Sequence, residues 1–434
     1  MGKGQDLWKV AKTVIPGGNM LLSKRPEMFL PDLWPAYFSR AAGCRVWDLD
    51  GREYTDMSIM GIGCNTLGYG RPEVDEAVKR TVDLGNMATL NAPEEVELAQ
   101  RLIALHPWAD MARFARTGGE ANAISIRIAR AASGRDGVAL CGYHGWHDWY
   151  LAANLGNEEK LAGHLLPGLG PNGGPKSLRG SVFPFAYNDF DRLEDLVRTE
   201  DIGVIKMEVS RNYEPEGDFL RRVRQLADER GLILIFDECT SGFRQAYGGL
   251  HKIYGVEPDM AVFGKALGNG YAVTAVLGKR DIMQAAQNTF ISSTFWTERI
   301  GSVAGLATLE VMGREQSWET ITATGKDITA RWQALGRKYG LPLTTAGVPA
   351  LTAFSIKGPN WLAYKTLITQ EMLEKGYLAG NSVYTCTEHT PAIVDGYFEA
   401  LEPVFALIRE CEDGRDVKTL LKGPIAHGGF SRLN

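Results

Sequence analysis

Between residues 111 and 278, short apolar runs alternate with amphipathic stretches, and that alternation restricts the possible fold more than any other feature of the chain. MARFART, GVALCGY, IGVIKMEV, LILIFDE, DMAVFGK and AVTAVLGK read as strands. GGEANAISIRIARAAS and FLRRVRQLADERG carry apolar residues at helical spacing, and the second ends in Gly. A run such as LILIF has no polar alternation, so both faces of its sheet must be covered. Strands of this kind separated by amphipathic helices predict an α/β fold: a mostly parallel sheet with helices on both faces.

The flanking regions differ in character. The first fifty residues are rich in Pro, Gly and aromatics. They lead into two short strands around a DG turn, Arg45 to Leu49 and Glu53 to Met57. Helices are predicted at Pro72 to Leu84 and Pro93 to Leu105. After residue 300 comes a long helical stretch from Gly301 to Gly340, interrupted near Ser317. ALTAFSIK, YLAG and helices over NWLAYKTLITQEMLEKG and Asp395 to Arg409 then form a smaller α/β lobe. A chain of 434 residues exceeds one compact core. The expected division is 1–55, an N-terminal segment contributing to the small domain; 56–300, the large domain; and 301–434, the C-terminal small domain. Gly163 to Gly180 lacks periodic hydrophobics and reads as an exposed loop.

Charge and composition exclude several classes of function. Net charge is −5 and no run of Lys and Arg occurs, which speaks against a nucleic-acid partner. No apolar stretch approaches the roughly 18 residues of a membrane span. MGKGQDLWKVAKTVIPGG has no apolar signal core, so a cytoplasmic location is expected. Six scattered cysteines without a CxxC pair predict neither disulfides nor structural zinc. His144 and His147 lie three apart without further ligands at useful spacing, so no metal is expected.

Three strand ends carry chemistry, at the edge where open α/β sheets build ligand sites. In ARTGGEANA a strand ends and a helix starts at Thr117, Gly118 and Gly119. Bare N–H groups there suit a phosphate, and Gly lets an anion approach closely. Read alone, this is also an ordinary tight turn. In LILIFDECTSGFR, Asp237 and Glu238 follow a buried apolar run. A carboxylate there needs a positive partner, such as a protonated pyridine nitrogen, or else it caps or pairs locally. In DMAVFGKALGNG, Lys265 follows the apolar strand directly, flanked by Gly264. An amine withdrawn from water becomes nucleophilic, as Schiff-base formation requires; the ordinary alternative is a solvated strand end.

Order and spacing join the three: phosphate turn, strand with Asp237, and strand with Lys265 28 residues later. The set resembles the class III pyridoxal 5'-phosphate (PLP)-dependent aminotransferases of fold type I, and within them the glutamate-1-semialdehyde aminomutase-like branch. The resemblance spans nearly the whole chain through IPGG, VWDLDGREYTD, TGGEAN, GYHGWHD, FDECTSGFR, FGKALGNG and SSTFW. It implies a large PLP-binding domain and a small domain built from the N- and C-terminal parts. It implies that Gly118 and Gly119 bind the cofactor phosphate, that Tyr143 stacks on the ring, and that Glu208 lies near the ring edge beside Asn212. The resemblance further implies that Asp237 pairs with the pyridine nitrogen, that Lys265 forms the Schiff base and shuttles the proton through a pyridoxamine phosphate stage, and that Thr294 reaches the phosphate of a neighbouring subunit in a homodimer with shared active sites.

Three segments depart from the family pattern. After Thr294 the family has a small-residue turn, and this chain has Phe295, Trp296, Thr297, Glu298 and Arg299. The aminomutases follow IPGG with a Ser and an Arg for the substrate carboxylate, and this chain reads NMLLSKRPEM, with Lys24 and Arg25 nearby. MGIGCNTLG offers Ile62 where the aminomutases carry a Trp. The STFWTER variant is similar to class III enzymes of sugar and sugar-acid biosynthesis. It implies an amino-acid donor such as glutamate and a sugar or sugar-acid carbonyl as acceptor. Trp296 packs on sugar C–H faces, or else at the dimer interface. Arg299, Lys24 or Arg25 holds a carboxylate. The alternatives are a 1,2-aminomutase and a non-catalytic regulator with a PLP fold.

Overall fold

A computed structural model describes residues 2–155, 172–210 and 212–429. The chain divides into two compact units. One contains Pro72–Leu165 and Gly170–Glu319; the other contains Met1–Arg71 and Thr320–Asn434. Sequence reading set the divisions at 55/56 and 300/301. The helix Arg299–Glu315 packs on the helices Pro72–Leu84 and Pro93–Leu105, which keeps it with the first unit.

The first unit is built on seven strands. Across the sheet they run Met111–Ala115, Thr274–Gly278, Met260–Phe263, Ile233–Glu238, Ile202–Glu208, Gly137–Cys141 and Val182–Pro184. Only Thr274–Gly278 runs antiparallel to its neighbours; the other pairings are parallel. Every residue of Gly137–Cys141, Ile202–Glu208, Ile233–Glu238 and Met260–Phe263 is buried. This is why these strands read as continuous apolar runs rather than alternating ones. The helix Gly118–Ser133 covers one face with Ala121, Ile124, Ile126, Ile128 and Ala129. Full burial of one such Ile contributes about 1.5–3 kcal/mol.

Register sets the functional edge. Glu208 is paired with Asp237, Lys206 with Ile235, and Glu238 with Phe263. The strand ends at 141, 208, 238 and 263 therefore come level, and the loops that leave them share one end of the sheet.

The second unit joins both ends of the chain. Tyr377–Ala379 pairs in parallel with Glu53–Met57, which pairs antiparallel with Arg45–Asp48. A three-stranded sheet, Leu343–Ala346, Leu351–Ile356 and Ser382–Tyr384, adjoins a core of Trp332, Phe354, Tyr364, Tyr397 and Phe405.

The helices Pro72–Leu84 and Pro93–Leu105 fall where the pattern predicts them. The expected interruption near Ser317 is Gln316, whose φ of 49° ends one helix before Ser317–Lys338 begins. The last helix is longer than expected, Pro391–Glu412. The sequence reading lacked the helix Lys3–Val14 and the strands Phe38–Ala42, Leu343–Ala346 and Ser382–Tyr384. Lys3–Val14 buries only Gly4, Trp8 and Ala11, too narrow a stripe to stand out. Residues 163–171 of the expected Gly163–Gly180 loop lie outside the described residues; 172–180 carry a 3-10 turn, Lys176–Leu178. No helix of the described residues is long and apolar enough to cross a membrane.

Candidate active site

Loops at four strand ends build the site, beginning with the turn into the helix Gly118–Ser133. Thr117 is its N-cap: its hydroxyl accepts from the Glu120 N–H, and Glu120 Oε2 accepts from Thr117 N at 2.9 Å. This reciprocal cap fixes the helix start. The first-turn amides of Gly118 and Gly119 have no intrahelical acceptor and sit at the positive end of the dipole. A Cβ on Gly119 would lie 2.8 Å from His147 Nδ1, so only Gly fits there. That buried ring nitrogen has no hydrogen-bond partner among the described residues. An unsatisfied imidazole nitrogen beside a Gly-lined helix start fits an anionic group such as a phosphate.

The second loop follows Gly137–Cys141. Gly142 has φ +105°, and a Cβ there would fall 2.6 Å from Glu208 Oε2. Glu208 packs under this turn and accepts from Tyr143 N at 3.1 Å. Tyr143 meets Tyr150 edge-on at 6.0 Å. The next residue, His144, is fully buried and points to Asp237.

Asp237 and Glu238 end one strand and face opposite ways, as successive strand residues must. Glu238 is built into the scaffold: it accepts from Leu250 N at 2.9 Å, His251 N at 3.0 Å and His251 Nδ1 at 2.8 Å. Asp237 faces the site. Its Oδ2 accepts from His144 Nδ1 at 2.7 Å and Asn122 Nδ2 at 2.8 Å, and its Oδ1 from Cys239 N at 3.0 Å. Burial alone raises a carboxyl pKa. Here the His144 hydrogen bond and charge, the Lys206 ammonium and the Cys239 amide outweigh burial and hold Asp237 well below the usual carboxylate range. An ionised, buried carboxylate is therefore ready for a cationic partner such as a ring N–H⁺.

Lys265 starts a 3-10 turn after Met260–Phe263 with φ 40°, a left-handed backbone costing a non-Gly residue roughly 1–2 kcal/mol. Its Nζ donates to Thr240 Oγ1 at 2.7 Å. The Thr240 carbonyl in turn accepts from Nε of the buried Arg244. Amine, carboxylate and anion-binding turn thus stand on adjoining loops of one sheet end, and their donor set matches an aldehyde-bearing pyridine phosphate.

Other expected residues lie elsewhere. Asn212 is exposed in the loop after Ile202–Glu208. Thr294 opens an exposed 3-10 turn, Thr294–Thr297. Trp296 packs on the core cluster around the helix Gly118–Ser133, while Phe295 is 67% exposed. Arg299, expected to hold a substrate carboxylate, is engaged by Glu94 at 2.6 and 3.2 Å. That bidentate pair occupies the guanidinium fork. Lys24 and Arg25 belong to the other unit, where Arg25 packs over Gly17. His144 and His147, three apart, serve different ends: one binds Asp237 and the other lies beside Gly119.

Sequence reading missed Asn122, Lys206, Thr240 and Arg116. The first and third lie inside the quoted motifs TGGEAN and FDECTSGFR, three positions after Gly119 and two after Glu238. Arg116 gathers the Phe295, Trp296 and Glu298 carbonyls at 3.0, 2.9 and 2.8 Å and pairs with Glu298 Oε1 at 2.9 Å. It ties the Thr294–Thr297 turn to the start of the helix Gly118–Ser133.

A family model described as aminotransferase class-III matches residues 32–394. The chain is 31% identical over 428 residues to a 3-aminobutyryl-CoA aminotransferase from Cloacimonas acidaminovorans, covering 94% of this chain and 98% of that one. It is 31% identical over 347 residues to a glutamate-1-semialdehyde 2,1-aminomutase from Methanococcoides burtonii, covering 76% and 78%. A 2'-deamino-2'-hydroxyneamine transaminase from Streptomyces kanamyceticus is 30% identical over 317 residues, covering 72% and 76%. Among solved structures, the FumI protein of Sphingopyxis sp. MTA144, in a PLP internal aldimine form, superposes with a TM-score of 0.83 at 28% identity. That match covers 96% of this chain and 100% of that one.

Proposed function

The chain belongs to the class-III aminotransferases, a fold-type I PLP enzyme, and from that premise we propose that it moves an amino group from an amino-acid donor, glutamate first among them, to an aldehyde or ketone of a sugar or sugar acid. The observation that carries the transfer chemistry is the triple clamp on Asp237 by His144, Asn122 and Cys239, beside the Lys265 amine.

PLP, the cofactor, supplies an electron sink and a carrier for the amino group when bound. The residues of this chain do the rest. Gly118, Gly119 and His147 bind the phosphate. Tyr143 orients the ring by stacking. Asp237 holds the proton at the ring nitrogen. Lys265 Nζ takes and returns the substrate proton as general base, held in aim by Thr240 Oγ1.

The acceptor class is supported by two observations. A transaminase named for a neamine-type sugar derivative is among the relatives. The segment Ser292–Thr294, with exposed Phe295 beside it, offers hydroxyls and an aromatic face. A 1,2-aminomutase is the second reading, favoured by the aminomutase relative. A homodimer is proposed on the exposed apolar residues Leu84, Met87, Leu90, Phe290 and Phe295, with Thr294 reaching the partner's phosphate site.

The experiment is a donor and acceptor screen followed by mass spectrometry. A transferase given donor alone releases a keto acid, whereas a mutase consumes no donor. Borohydride reduction and peptide mapping test Lys265: a phosphopyridoxyl tag on another lysine refutes its role, and Lys265→Ala is expected to abolish turnover.

A further inference from the structure

The strand Ile202–Glu208 is buried along its whole length, and in the middle of it stands a lysine. Lys206 has no exposed surface. Lysines bury their stems but carry the ammonium to water; this one has no route to water. Its ammonium has three protons to donate. Among the described residues it donates one hydrogen bond, to Ser125 Oγ at 3.1 Å. The Ser125 hydroxyl is itself committed, donating to the Asn122 carbonyl at 2.8 Å. A neutral hydroxyl does not compensate a buried cation; a counter-charge must be near.

The register identifies it. Lys206 pairs with Ile235 and Glu208 with Asp237, so Lys206 and Asp237 share a face of the sheet, one strand apart and two residues along. The helix Gly118–Ser133 covers that face, with Ser125 on Lys206 and Asn122 on Asp237. The acidic groups acting on Lys206 are Asp237 and Cys239. Burial pulls its pKa down to about 8, while Asp237 and Cys239 act the other way. In the opposite direction, Lys206 helps to keep Asp237 ionised.

We propose that Lys206 is a positioning residue for the transfer reaction: its buried ammonium stands behind Asp237, shares that carboxylate's charge, and limits how tightly Asp237 holds a proton at the cofactor ring nitrogen. The inference rests on the reading that Asp237 meets that nitrogen. One carboxylate then faces His144, the ring N–H⁺ and Lys206 together. A fixed cation behind the carboxylate repels the ring proton and every other proton nearby. Removing that cation tightens all of them.

The test follows the pH titration of the visible absorbance band of the Lys265-bound cofactor in the holoenzyme. In Lys206→Met the midpoint is expected to move up by on the order of one pH unit, the size of effect one neighbouring charge has in a partly buried site. Ser125→Ala keeps the charge and is expected to move it less. In an Asp237→Asn background, Lys206→Met is expected to add little, because a buried amine without its counter-charge is already neutral and no cation is left to remove. A side chain that merely filled space would leave the midpoint where it is. Should the Met variant fail to fold, Lys206→Gln removes the charge and keeps a donor for Ser125. The cofactor-free protein supplies an independent reading. Lys206 has a folded pKa of about 8, below its unfolded value, so the stability of the wild type should rise relative to Lys206→Met as pH increases through that value. If Asp237→Asn shifts the band titration but both Lys206 variants leave it unchanged, the proposal is overturned and the Asp237 assignment stands. If Asp237→Asn itself leaves the titration unchanged, both fall.

Discussion

The imidazole of His144 lies between two acceptors, with Nδ1 2.7 Å from Oδ2 of Asp237 and Nε2 3.0 Å from the carbonyl oxygen of Cys141. A ring bearing a proton on each nitrogen satisfies both contacts. His144→Phe keeps a planar ring and removes both donors. Losing a hydrogen bond to a charged group costs about 1.5–3 kcal/mol, roughly ten- to a hundredfold. The single-turnover rate with donor alone is expected to fall by that factor while cofactor remains bound. An unchanged rate would reduce His144 to packing.

Asp237→Asn preserves shape and loses the charge. An amide cannot hold the ring proton electrostatically, so the ring becomes a poorer sink. Proton abstraction from the donor is expected to slow by about two orders of magnitude or more. Rapid-mixing absorbance checks this, and near-normal kinetics would refute the assignment of Asp237.

Arg116 holds three carbonyls of the 295–298 segment and the Glu298 carboxylate. Arg116→Met is expected to loosen that segment. If Thr294 serves a phosphate site, both Arg116→Met and Thr294→Ala weaken PLP affinity, measured by equilibrium dialysis. Normal affinity in Thr294→Ala would place the contact elsewhere.

Arg299→Ala removes the bidentate partner of Glu94, whose carboxyl that pair holds below its ordinary range. The expected outcome is a lower Tm with an unchanged acceptor KM. A raised KM with unchanged Tm would restore the carboxylate-holding role that the sequence suggested.

His106 predicts a pH dependence. Its Nδ1 donates to the Leu102 carbonyl at 2.8 Å and its Nε2 accepts from Gly249 N at 3.0 Å, so the buried ring is neutral. Burial lowers its pKa to about 4. The unfolded chain takes up a proton near pH 6.5 and the folded one does not. Stability is therefore full above about pH 6.5 and falls as pH drops toward 4, by up to about 3 kcal/mol. Urea unfolding of the cofactor-free protein at pH 7.5 and 5 measures this. His106→Gln should flatten the slope, and an equal slope in the variant would assign it to other groups.

Some of this molecule was legible in the chain because the information is local. Continuous apolar runs mark strands covered on both faces, as in ILIFDE, and capping and Gly signals mark helix starts, as at Thr117. The order of Gly118, Asp237 and Lys265 at strand ends was enough to name the family, since each residue type suits one part of the same cofactor.

The tertiary structure decided what pairing and burial control. Sequence places Asp237 and Glu238 side by side; only the strand's orientation sends one to the site and the other to His251. Arg299 is a free cation by composition, and only the approach of the helix Pro93–Leu105 supplies Glu94. Lys206 reads as one polar residue in an apolar run. Its meaning depends on register across Ile202–Glu208 and Ile233–Glu238 and on Ser125 and Asn122 of the helix Gly118–Ser133, which lies far earlier in the chain. Periodicity reports whether a side chain is buried; what it is buried against is a long-range fact, and the charge of a buried group is set by that neighbour acting against the cost of burial.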